Sequence, residues 1–507
     1  MSYASFDPNA LTTGPKSDKG YREWGLQPQS EYRFELAPNT SIGIKLVDGY
    51  AECFGTELAT GIAYLFGGEC KAVIYTHSGC TLEVCGEPAT EYTSEETAMG
   101  HYRSASILFE QMRILSLAIV DGAPLDGLNP QNVPATPPHI LVLGPENSGK
   151  TTLCKTLINY AVRGEPWGHD EWSPVLVNVD PGDGAWSVPG SVSATSVSTS
   201  ISTSTSACPL GLSASTAPTV WSSNALIPLT YWYGHTEIRR NPVLLERIVR
   251  NLGTRVQERL EVDPKGRAAG LIIDTPPAFA PSSSGDYRNS LIKACIESFK
   301  VNIILVIGQE KLHAEMQRTY GRSINVIRLP KSGGVVDRDH AYRQRVRNHQ
   351  IQNYMYGQKV EIPNGCDNGE GSYLFQHEPT SDLSLAPSST VVSFDDITIY
   401  RIGGESMAPS SALPIGASRT VSELLPLHVD PSSPSSGLLN SILALLASTA
   451  SNGEQYDEEL IDLPVQGFII VTAIDIPNRK MTILSPTSGT FSGQTAVMAS
   501  IDWQEIV

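Results

Sequence analysis

The sequence contains no apolar run that approaches the roughly 18 to 20 residues needed for a membrane-spanning helix. Its first stretch, MSYASFDPNALTTGPKSDKGYREWG, also lacks the basic start and apolar middle of a secretory signal peptide. These two absences argue against a membrane protein and against a secreted protein. We therefore expect an intracellular protein with no membrane partner.

Cysteine is sparse and irregularly spaced. The chain has 8 cysteines, and the four that fall in one segment (Cys53, Cys70, Cys80 and Cys85) form no C-x-x-C pair. Zinc sites and secreted disulfide frameworks tend to show tighter or more regular spacing. Free cysteine is commonly buried as a small apolar side chain, so the sequence predicts reduced, buried thiols.

Basic residues are outnumbered by acidic ones. Lys and Arg total 36 against 53 for Asp and Glu, which gives a formal net charge of −17. A protein that coats nucleic acid needs an excess of positive charge to neutralise phosphates. The balance favours protein partners and restricts any RNA contact to a local site.

The length of 507 residues is enough for about two to four domains. Residues 1–25 are polar and rich in turn formers, which predicts a flexible tail. Residues 26–130 contain short alternating runs such as YRFELAPNTSIGIKLVDG, which are typical of an antiparallel β-sandwich or barrel. A helix-like stretch, HYRSASILFEQMRILSLAIV, is expected to close this N-terminal β-domain.

A second pattern begins after the proline-rich linker QNVPATPPHI and covers residues 138–357. Its apolar runs are continuous, as in PVLVNVD, AGLIID, VNIILVIG and INVIRL, and segments of helix length separate them. Continuous runs are typical of buried parallel strands, so this region is predicted to be an α/β domain with a doubly wound parallel sheet. A Ser/Thr-rich insert at 191–219 is expected to be a disordered surface loop of low complexity.

The third region, residues 372–507, returns to alternation. VQGFIIVTAIDIPNRKMTILSP predicts two strands joined by a Pro-Asn-Arg-Lys turn in a C-terminal β-rich domain. GLLNSILALLA is apolar nearly all round and is interpreted as a helix packed between domains, because about 11 residues cannot span a bilayer.

The strongest motif lies at the start of the α/β region. GPENSGKTT matches the G-x-x-x-x-G-K-T phosphate loop, with Gly144, Gly149, Lys150 and Thr151 in place, an apolar strand before it and the helix KTTLCKTLINYAV after it. Glycines allow backbone N–H groups to surround a phosphate, the lysine supplies charge, and the threonine hydroxyl can hold Mg²⁺. The sequence therefore predicts a nucleotide-binding site.

Acidic residues follow two of the predicted strands. Asp180 ends VNVD and Asp274 ends LIID, so both should lie at the carboxyl edge of the sheet near the phosphates. Either carboxylate could hold Mg²⁺ directly or through water, and Asp183 is a weaker candidate. An Asp before Pro-Gly is also a common strand-ending turn.

A cluster of arginines follows RLPKSGGVV. Arg338, Arg343, Arg345 and Arg347 could form a lid that steadies transferring phosphate or grips RNA. Equally, the i, i+4 pair Arg343 and Arg347 could lie on a solvated helix face. No guanine-reading N-K-x-D motif follows the apolar strands, which argues against a GTPase switch.

Taken in order, the motifs resemble the Clp-one family. They are YRFE, AECFGTEL, KAVIYTHSGC, GPENSGKTT with LINYAV, VDPGDGAWSVPG, LPKSGGVV, YMYG and GFIIVTAID, and they cover nearly everything from Glu31 onward except the insert. This family comprises subunits of the eukaryotic pre-mRNA 3′-end cleavage and polyadenylation factor related to polynucleotide 5′-hydroxyl kinases. The resemblance implies a central P-loop kinase-like sheet flanked by an N-terminal β-sandwich domain and a C-terminal β-rich domain.

The resemblance also implies a set of ATP contacts. In the family, a Glu and a Lys of the N-terminal domain clasp the nucleotide, and they match Glu31 and Lys71. An Asp on the Mg²⁺ side matches Asp180, which this likeness favours over Asp274; with Lys150, Asp180 would be catalytic if the protein is active. The central-domain contacts match Gly144, Asn147, Ser148, Gly149, Lys150, Thr151 and Thr152, with Thr151 and Asp180 on the metal.

One departure from the family pattern bears on activity. Members active as RNA kinases have a Thr-Cys-Gly-Trp clasp at the end of the third sheet strand, where this chain reads Asp274-Thr275-Pro276-Pro277. Prolines remove N–H donors, and the added carboxylate places negative charge near the triphosphate. This variant resembles the yeast-type branch, in which ATP is held and kinase activity is lost.

The sequence as a whole predicts a nuclear, ATP- and Mg²⁺-binding structural subunit of the cleavage factor complex that binds a scaffold subunit and other 3′-end processing proteins. The alternative is an active RNA 5′-hydroxyl kinase. A third hypothesis is an unrelated ATPase or GTPase switch, which a preference for GTP over ATP would support.

Overall fold

A computed structural model describes residues 21–122, 134–164, 171–211, 226, 228–281, 286–363, 366, 382–402, 424–447 and 457–504. In these residues the chain forms three regions. The N-terminal and C-terminal regions each enclose a hydrophobic core, and two further cores join the central region to its neighbours.

The N-terminal region is a β-sandwich, as predicted. One sheet has the order β1-β8-β3-β6 and the other the order β5-β4-β7-β2-β9. Ile42, Ile44 and Leu46 alternate with partners on the outer face and are all buried in the core between the sheets. The strands are β1 (Tyr21–Leu26), β2 (Ser30–Glu35), β3 (Ile42–Gly49), β4 (Glu52–Cys53), β5 (Thr56–Glu57), β6 (Ala63–Phe66), β7 (Lys71–Thr76), β8 (Cys80–Cys85) and β9 (Thr90–Ser94).

Strand β1 corrects the predicted extent of the tail. Its residues pair with β8 along their whole length, from Tyr21 opposite Cys85 to Leu26 opposite Cys80. Trp24 and Leu26 are buried, so apolar residues near the end of the expected tail contribute to the sandwich. Residues 1–20 lie outside the described residues.

The predicted closing helix is present as α1 (Met99–Asp121) and ends at Gly122, whose φ of 64° is left-handed. Its apolar face does not pack only on the sandwich. Phe109 and Met112 share a core with Ile140 and Leu153 of the central region. The helix therefore fixes the N-terminal region to the central one.

The central region is built on a seven-stranded sheet with the order β13-β12-β11-β14-β10-β15-β16. The five strands from β11 to β16 in this order are parallel. At the other edge, β12 pairs antiparallel with both β11 and β13. The elements are β10 (His139–Leu143), α2 (Lys150–Val162), β11 (Val175–Asn178), β12 (Ser191–Ser196), β13 (Leu229–Trp232), α3 (Pro242–Val262), α4 (Pro264–Ala269), β14 (Leu271–Asp274), α5 (Asp286–Ser298), β15 (Ile303–Ile307), α6 (Glu310–Tyr320), β16 (Asn325–Leu329) and α7 (His340–Tyr356).

The Ser/Thr-rich insert is not a disordered loop where it is described, so that prediction was wrong for residues 191–211. Residues 191–196 form β12, which lies inside the sheet between β11 and β13. Val192 and Ser193 are fully buried, and the Ser191 hydroxyl donates to the Val188 carbonyl at 2.7 Å. The backbone thus satisfies the Ser191 hydroxyl, which allows this polar side chain to lie in a buried strand. Residues 212–219 lie outside the described part of the chain.

The C-terminal region is β-rich, as predicted, and its seven-stranded sheet has the order β19-β24-β23-β22-β25-β20-β21. The two strands predicted around the Pro-Asn-Arg-Lys turn are confirmed. The strands of this part of the chain are β17 (Gly357–Lys359), β18 (Asp382–Ser384), β19 (Ser388–Ser393), β20 (Ile397–Arg401), β21 (Leu427–His428), β22 (Ile442–Leu446), β23 (Val465–Asp475), β24 (Lys480–Ser485) and β25 (Gln494–Met498).

The helix predicted at GLLNSILALLA was wrong. Its second half is strand β22, which pairs with β23 and β25. Both faces of this strand are covered, so its apolar residues run without the alternation that marks a half-exposed strand. Asn440, with a φ of 65°, turns the chain just before it.

Contacts between the regions converge on the helix that follows the phosphate loop. The Asn159 side chain on α2 donates to the Phe54 carbonyl at 2.8 Å and accepts from the Ile201 backbone at 2.7 Å. One buried side chain thus joins the sandwich, the P-loop helix and the Ser/Thr-rich insert. At the other side, Arg247 of α3 forms two hydrogen bonds with Asp462, at 2.8 and 2.6 Å.

The prediction that all cysteines are reduced needs one correction. Cys85 of the sandwich and Cys366 after β17 form a disulfide across a sequence separation of 281 residues. The other cysteines are free thiols, and all of them except the half-buried Cys208 are buried. No helix within the described ranges is long and apolar enough to cross a membrane.

Candidate nucleotide-binding site

The phosphate loop connects the end of β10 to the start of α2, as its motif predicts. Two of its glycines are required by geometry. A Cβ on Gly144 would lie 2.6 Å from the Ser148 hydroxyl, and Gly149 has a left-handed φ of 85°. Residues 147–152 line a cavity of about 890 Å³. This volume is within the range of ligand pockets.

Lys150 lies inside the ring made by the loop. Its ammonium donates to the Gly144 carbonyl at 3.1 Å and to the Pro145 carbonyl at 3.0 Å. Burial lowers the pKa of Lys150, and the carboxylates of Asp274 and Asp180 oppose that shift. The lysine therefore faces a largely buried, acidic environment in which a phosphate would compete for its charge.

The two candidate Mg²⁺ carboxylates take different positions. Asp274 Oδ2 accepts a hydrogen bond from the Thr151 hydroxyl at 2.6 Å. Asp180 instead accepts from the Gly182 backbone at 2.9 Å and, with Asp183, lines the cavity. Burial raises the pKa of Asp180, that of Asp183 to about 6 and that of Asp274 to about 7.

These oxygens are the donor type that Mg²⁺ prefers, so the site fits a bound Mg²⁺ ion. The structure places Asp274 directly on the Thr151 hydroxyl, whereas the family likeness favoured Asp180. Both carboxylates remain candidates, and their different contacts make them separable by mutation.

Glu31 and Lys71, which the resemblance implied, both line the cavity from the sandwich side. Glu31 is only 2% exposed; it pairs with Arg33 at 2.7 Å and accepts a hydrogen bond from Thr97. Lys71 pairs with Glu35 at 2.7 Å. The cavity is therefore shared between the N-terminal region and the phosphate loop.

The arginine cluster divides between two faces of α7. Arg343 pairs with Glu146 at 2.9 Å and also donates to the Asn147 side chain. Arg347 donates to the Gly182 carbonyl at 3.0 Å. Both line the cavity, as does Arg338, whereas Arg345 turns away and pairs with Glu69 at 2.8 Å. The solvated-face alternative does not hold for Arg343 and Arg347.

Sequence reasoning missed the walls at both ends of the cavity. At the sandwich end, the wall includes the apolar and aromatic side chains Phe34, Phe54, Tyr75, Met99 and Tyr102. In the sequence these residues look like ordinary core positions of the predicted strands and of the closing helix, and only the packing of two regions brings them to one cavity. Such a surface suits a flat aromatic base.

The opposite end is formed by residues 236–239, by 276–278 after β14, and by Tyr287. Ser332, Gly334, Val335 and Val336 of the LPKSGGVV segment cover the loop, and Val335 would lie 3.1 Å from a Cβ on Gly149. The cavity thus combines a phosphate loop, cations, acidic oxygens and an apolar end, which is the composition of a nucleoside triphosphate site.

Three family models match the chain. The N-terminal beta-sandwich domain of polyadenylation factor matches residues 25–116, the mRNA cleavage and polyadenylation factor CLP1 P-loop matches 144–357, and the pre-mRNA cleavage complex II protein Clp1 matches 385–505. Together with the geometry of the loop, the P-loop match identifies the cavity as a nucleotide-binding site.

Relatives match over nearly their whole length. An mRNA cleavage and polyadenylation factor CLP1 of Laccaria bicolor is 54% identical over 487 residues, which cover 96% of this chain and 98% of the relative. A CLP1 homolog of Arabidopsis thaliana is 30% identical over 513 residues, which cover 100% of both chains. A CLP1 homolog of Culex quinquefasciatus is 31% identical over 93% of this chain and 95% of its own.

Solved structures share the fold. A wild-type Clp1p–Pcf11p complex contains a chain with a TM-score of 0.74 and 22% identity, covering 96% of this chain and 99% of that one. A second structure, described as an extended interface between Pcf11p and Clp1p with the structural basis for ATP loss in a glycine-to-arginine mutant, has the same TM-score and identity and covers 96% and 100%.

Proposed function

Because this chain belongs to the CLP1 family of mRNA cleavage and polyadenylation factors, we propose that it is a nuclear, ATP-binding structural subunit of the pre-mRNA 3′-end cleavage factor complex. A fungal relative is named mRNA cleavage and polyadenylation factor CLP1, and a plant and an animal relative are each named as a CLP1 homolog. In this role the protein holds ATP without turning it over and presents a fixed surface to a scaffold subunit.

The observation that carries this proposal is the shared cavity. Glu31 and Lys71 come from the sandwich, while Ser148, Lys150 and Thr151 come from the central region. A ligand that contacts both regions stabilises their docked arrangement, because it binds that arrangement and not the separated regions. ATP therefore acts as a structural cofactor that sets the orientation of the two regions.

Each part of ATP has a proposed set of contacts in the cavity. The loop N–H groups and Lys150 bind the β- and γ-phosphates, and Arg343 and Arg347 add charge from α7. Thr151 together with Asp274 or Asp180 would hold Mg²⁺. The apolar end at Tyr75 and Tyr102 receives the base, with Glu31 and Lys71 beside it.

The proposed absence of turnover is supported by the residues after β14. Pro276 and Pro277 line the cavity where active members place a Gly-Trp pair, and a proline has no N–H to donate. Phosphoryl transfer depends on positioning and on charge stabilisation. Loss of those contacts slows transfer without removing the loop that binds ATP.

The partner proposal comes from the related structures. A Clp1p chain of the same fold is bound to Pcf11p in a solved complex. We infer that this chain likewise binds a scaffold subunit and, through it, other 3′-end processing proteins, with any RNA contact confined to the cavity region because the formal net charge is −17.

An active RNA 5′-hydroxyl kinase remains the second candidate. Lys150, Arg343 and Arg347 converge on one cavity with Asp180, and that cavity extends past the loop to residues 236–239. This arrangement could orient an attacking hydroxyl. Release of 5′-phosphorylated RNA by the purified protein, lost in Asp180→Asn, would favour the kinase.

The structural role is tested by Lys150→Ala, with Lys311→Ala on the exposed surface of α6 as the matched control. Lys150→Ala is expected to lower ATP retention and scaffold binding together, while Lys311→Ala leaves both unchanged. Retention is measured by chromatography of released nucleotide, and binding by calorimetry with the scaffold fragment. Scaffold binding that persists after ATP is lost would contradict the proposal.

A further inference from the structure

The turn between β6 and β7 has an unusual residue at its second central position. Cys70 N donates to the Gly67 carbonyl at 3.1 Å, and both central residues are left-handed, with φ of 58° at Gly68 and 55° at Glu69. Turns of this type favour Gly, Asn or Asp at both positions. A glutamate there carries backbone strain, which points to a role for its side chain.

The Glu69 carboxylate is 4% exposed and binds one partner on the neighbouring helix. Arg345 of α7 donates to it from Nε at 3.1 Å and from Nη2 at 2.8 Å. The Glu69 carbonyl also accepts a hydrogen bond from the Tyr342 hydroxyl at 3.3 Å. A single turn of the sandwich thus contacts two residues of α7, three positions apart.

Tyr342 is surrounded by cations as well. Lys71 Nζ lies 5.2 Å from the centre of its ring, and the guanidinium carbons of Arg338 and Arg345 lie 5.5 and 5.9 Å away. Cations at such distances are attracted to the ring face. Lys71 therefore connects this aromatic contact to the cavity wall, which it also lines.

Helical geometry separates the Arg345 contact from the arginines that line the cavity. At about 100° per residue, Arg345 lies on the opposite side of α7 from Arg343 and Arg347, while Tyr342 lies between them and also lines the cavity. The two cavity arginines contact Glu146, Asn147 and Gly182. The sandwich thus contacts one face of α7, and the arginines on the other face line the cavity.

We propose that the Gly67–Cys70 turn is a latch that holds α7 over the bound nucleotide and sets how long the nucleotide stays. Glu69 is a positioning residue: it contacts Arg345 and Tyr342 of the helix and leaves contact with phosphate to Arg343 and Arg347, while Tyr342 also lines the cavity. The inference rests on the proposed nucleotide-binding function and deepens it, because it names the element that controls release.

The strained backbone of Glu69 offers a test that separates release from stability. Glycine adopts the left-handed conformation freely, so Glu69→Gly is expected to leave the midpoint of thermal unfolding within about 3 °C of the wild type. It also removes the carboxylate. Because Arg345 is 47% exposed, the ion pair is partly screened, and we expect ATP to dissociate about three to ten times faster.

The full-length protein is loaded with ATP labelled on its ribose by a fluorophore, and release is followed after addition of excess unlabelled ATP. Glu69→Gln should speed release like Glu69→Gly. Glu310→Gln is the control, because Glu310 forms an exposed ion pair with Arg328 away from the cavity. Tyr342→Phe keeps the ring that lines the cavity and removes only the hydroxyl that donates to the Glu69 carbonyl, so it should speed release by a smaller factor than Glu69→Gly.

Release within about twofold of the wild type in both Glu69→Gly and Glu69→Gln would overturn the latch and leave nucleotide binding intact. A lowered unfolding midpoint in Glu69→Gly with unchanged release would assign the turn a purely structural role and overturn the latch too. A wild-type protein that binds no labelled ATP would instead refute the proposed function, and the latch with it.

Discussion

The Thr151 hydroxyl donates a 2.6 Å hydrogen bond to Oδ2 of Asp274, which joins the first turn of the P-loop helix to the end of the neighbouring strand β14. Hydroxyl and carboxylate oxygens are ligands that Mg²⁺ prefers, so this pair is one candidate for holding the proposed ion. Asp180 lies on the next strand connection and is held by the Gly182 backbone. The two carboxylates therefore differ in their contacts, and each is a separate candidate for a Mg²⁺ ligand.

Replacing each aspartate by asparagine shows which of the two carboxylates binds the ion. If Asp274 and Thr151 together hold Mg²⁺, Asp274→Asn is expected to reduce the Mg²⁺-dependent part of ATP affinity by about tenfold, and Asp180→Asn to reduce it less. Calorimetric titration of ATP with Mg²⁺ and with a chelator measures that part. A larger loss of Mg²⁺-dependent affinity in Asp180→Asn would identify Asp180 as the Mg²⁺ ligand instead.

The arginines on the cavity side of α7 are expected to select for the phosphate chain. Arg347→Gln and Arg343→Gln should each weaken ATP binding by roughly tenfold and leave AMP binding within about twofold, because they remove charge near the outer phosphates only. Arg318→Gln on the exposed surface of α6 is the matched control. Equal losses for ATP and AMP would show that these arginines act on the fold and not on the phosphates.

Lys155 is expected to make the free energy of unfolding increase with pH. It lies buried on α2, donates to the Thr203 hydroxyl at 2.7 Å, and has its pKa lowered by burial from 10.5 to about 8. Between those values the unfolded chain binds a proton that the folded chain has released, so this lysine makes the protein more stable as pH rises through that window.

Lys155→Met lacks that titration. Its free energy of unfolding relative to the wild type is expected to fall by roughly 2 to 3 kcal/mol between about pH 7 and about pH 10, as measured by urea unfolding. A difference that stays constant with pH would mean that Lys155 keeps its ordinary pKa in the folded chain.

The double change Pro276→Gly and Pro277→Trp rebuilds the pair that active relatives of this family are inferred to use. Both prolines line the cavity, so the new groups would face the phosphates. We expect the variant to gain measurable transfer of phosphate to 5′-hydroxyl RNA, with the wild type inactive in the same assay. Equal transfer by the wild type would show that the prolines do not block catalysis.

Much of the fold could be predicted because its signals are local. The phosphate loop carries its glycines, its lysine and its flanking strand and helix in one run, and residues 147–152 line the cavity as expected. The alternation at Ile42, Ile44 and Leu46 likewise identifies a sandwich face from a few residues. Neither conclusion needs information from distant parts of the chain.

The errors arose where distant pairing decides. Leu443 and Ala444 favour a helix by propensity, but the segment is a middle strand of a sheet and its two faces pack into separate cores. Ser193 reads as low complexity, although it lies fully buried between neighbouring strands. No spacing rule links Cys85 to Cys366, because 281 residues separate them.

The site was predicted in outline but not in its assembly. The period of the helix places Arg343 and Arg347 on one face, but it does not say whether that face meets a cavity or solvent. The role of Glu69 depends on a turn conformation and on a helix far away in sequence, so its signal in the sequence is limited to a glutamate after two glycines.

The most direct test of the account is the identity of the nucleotide carried by the purified full-length protein. The protein is denatured, the released nucleotide is separated by chromatography, and its amount is compared with that of the chain after incubation with 5′-hydroxyl RNA. A structural cofactor predicts intact ATP at about one per chain, unchanged by RNA. ADP, or ATP that is consumed when RNA is added, would contradict the structural role and establish turnover.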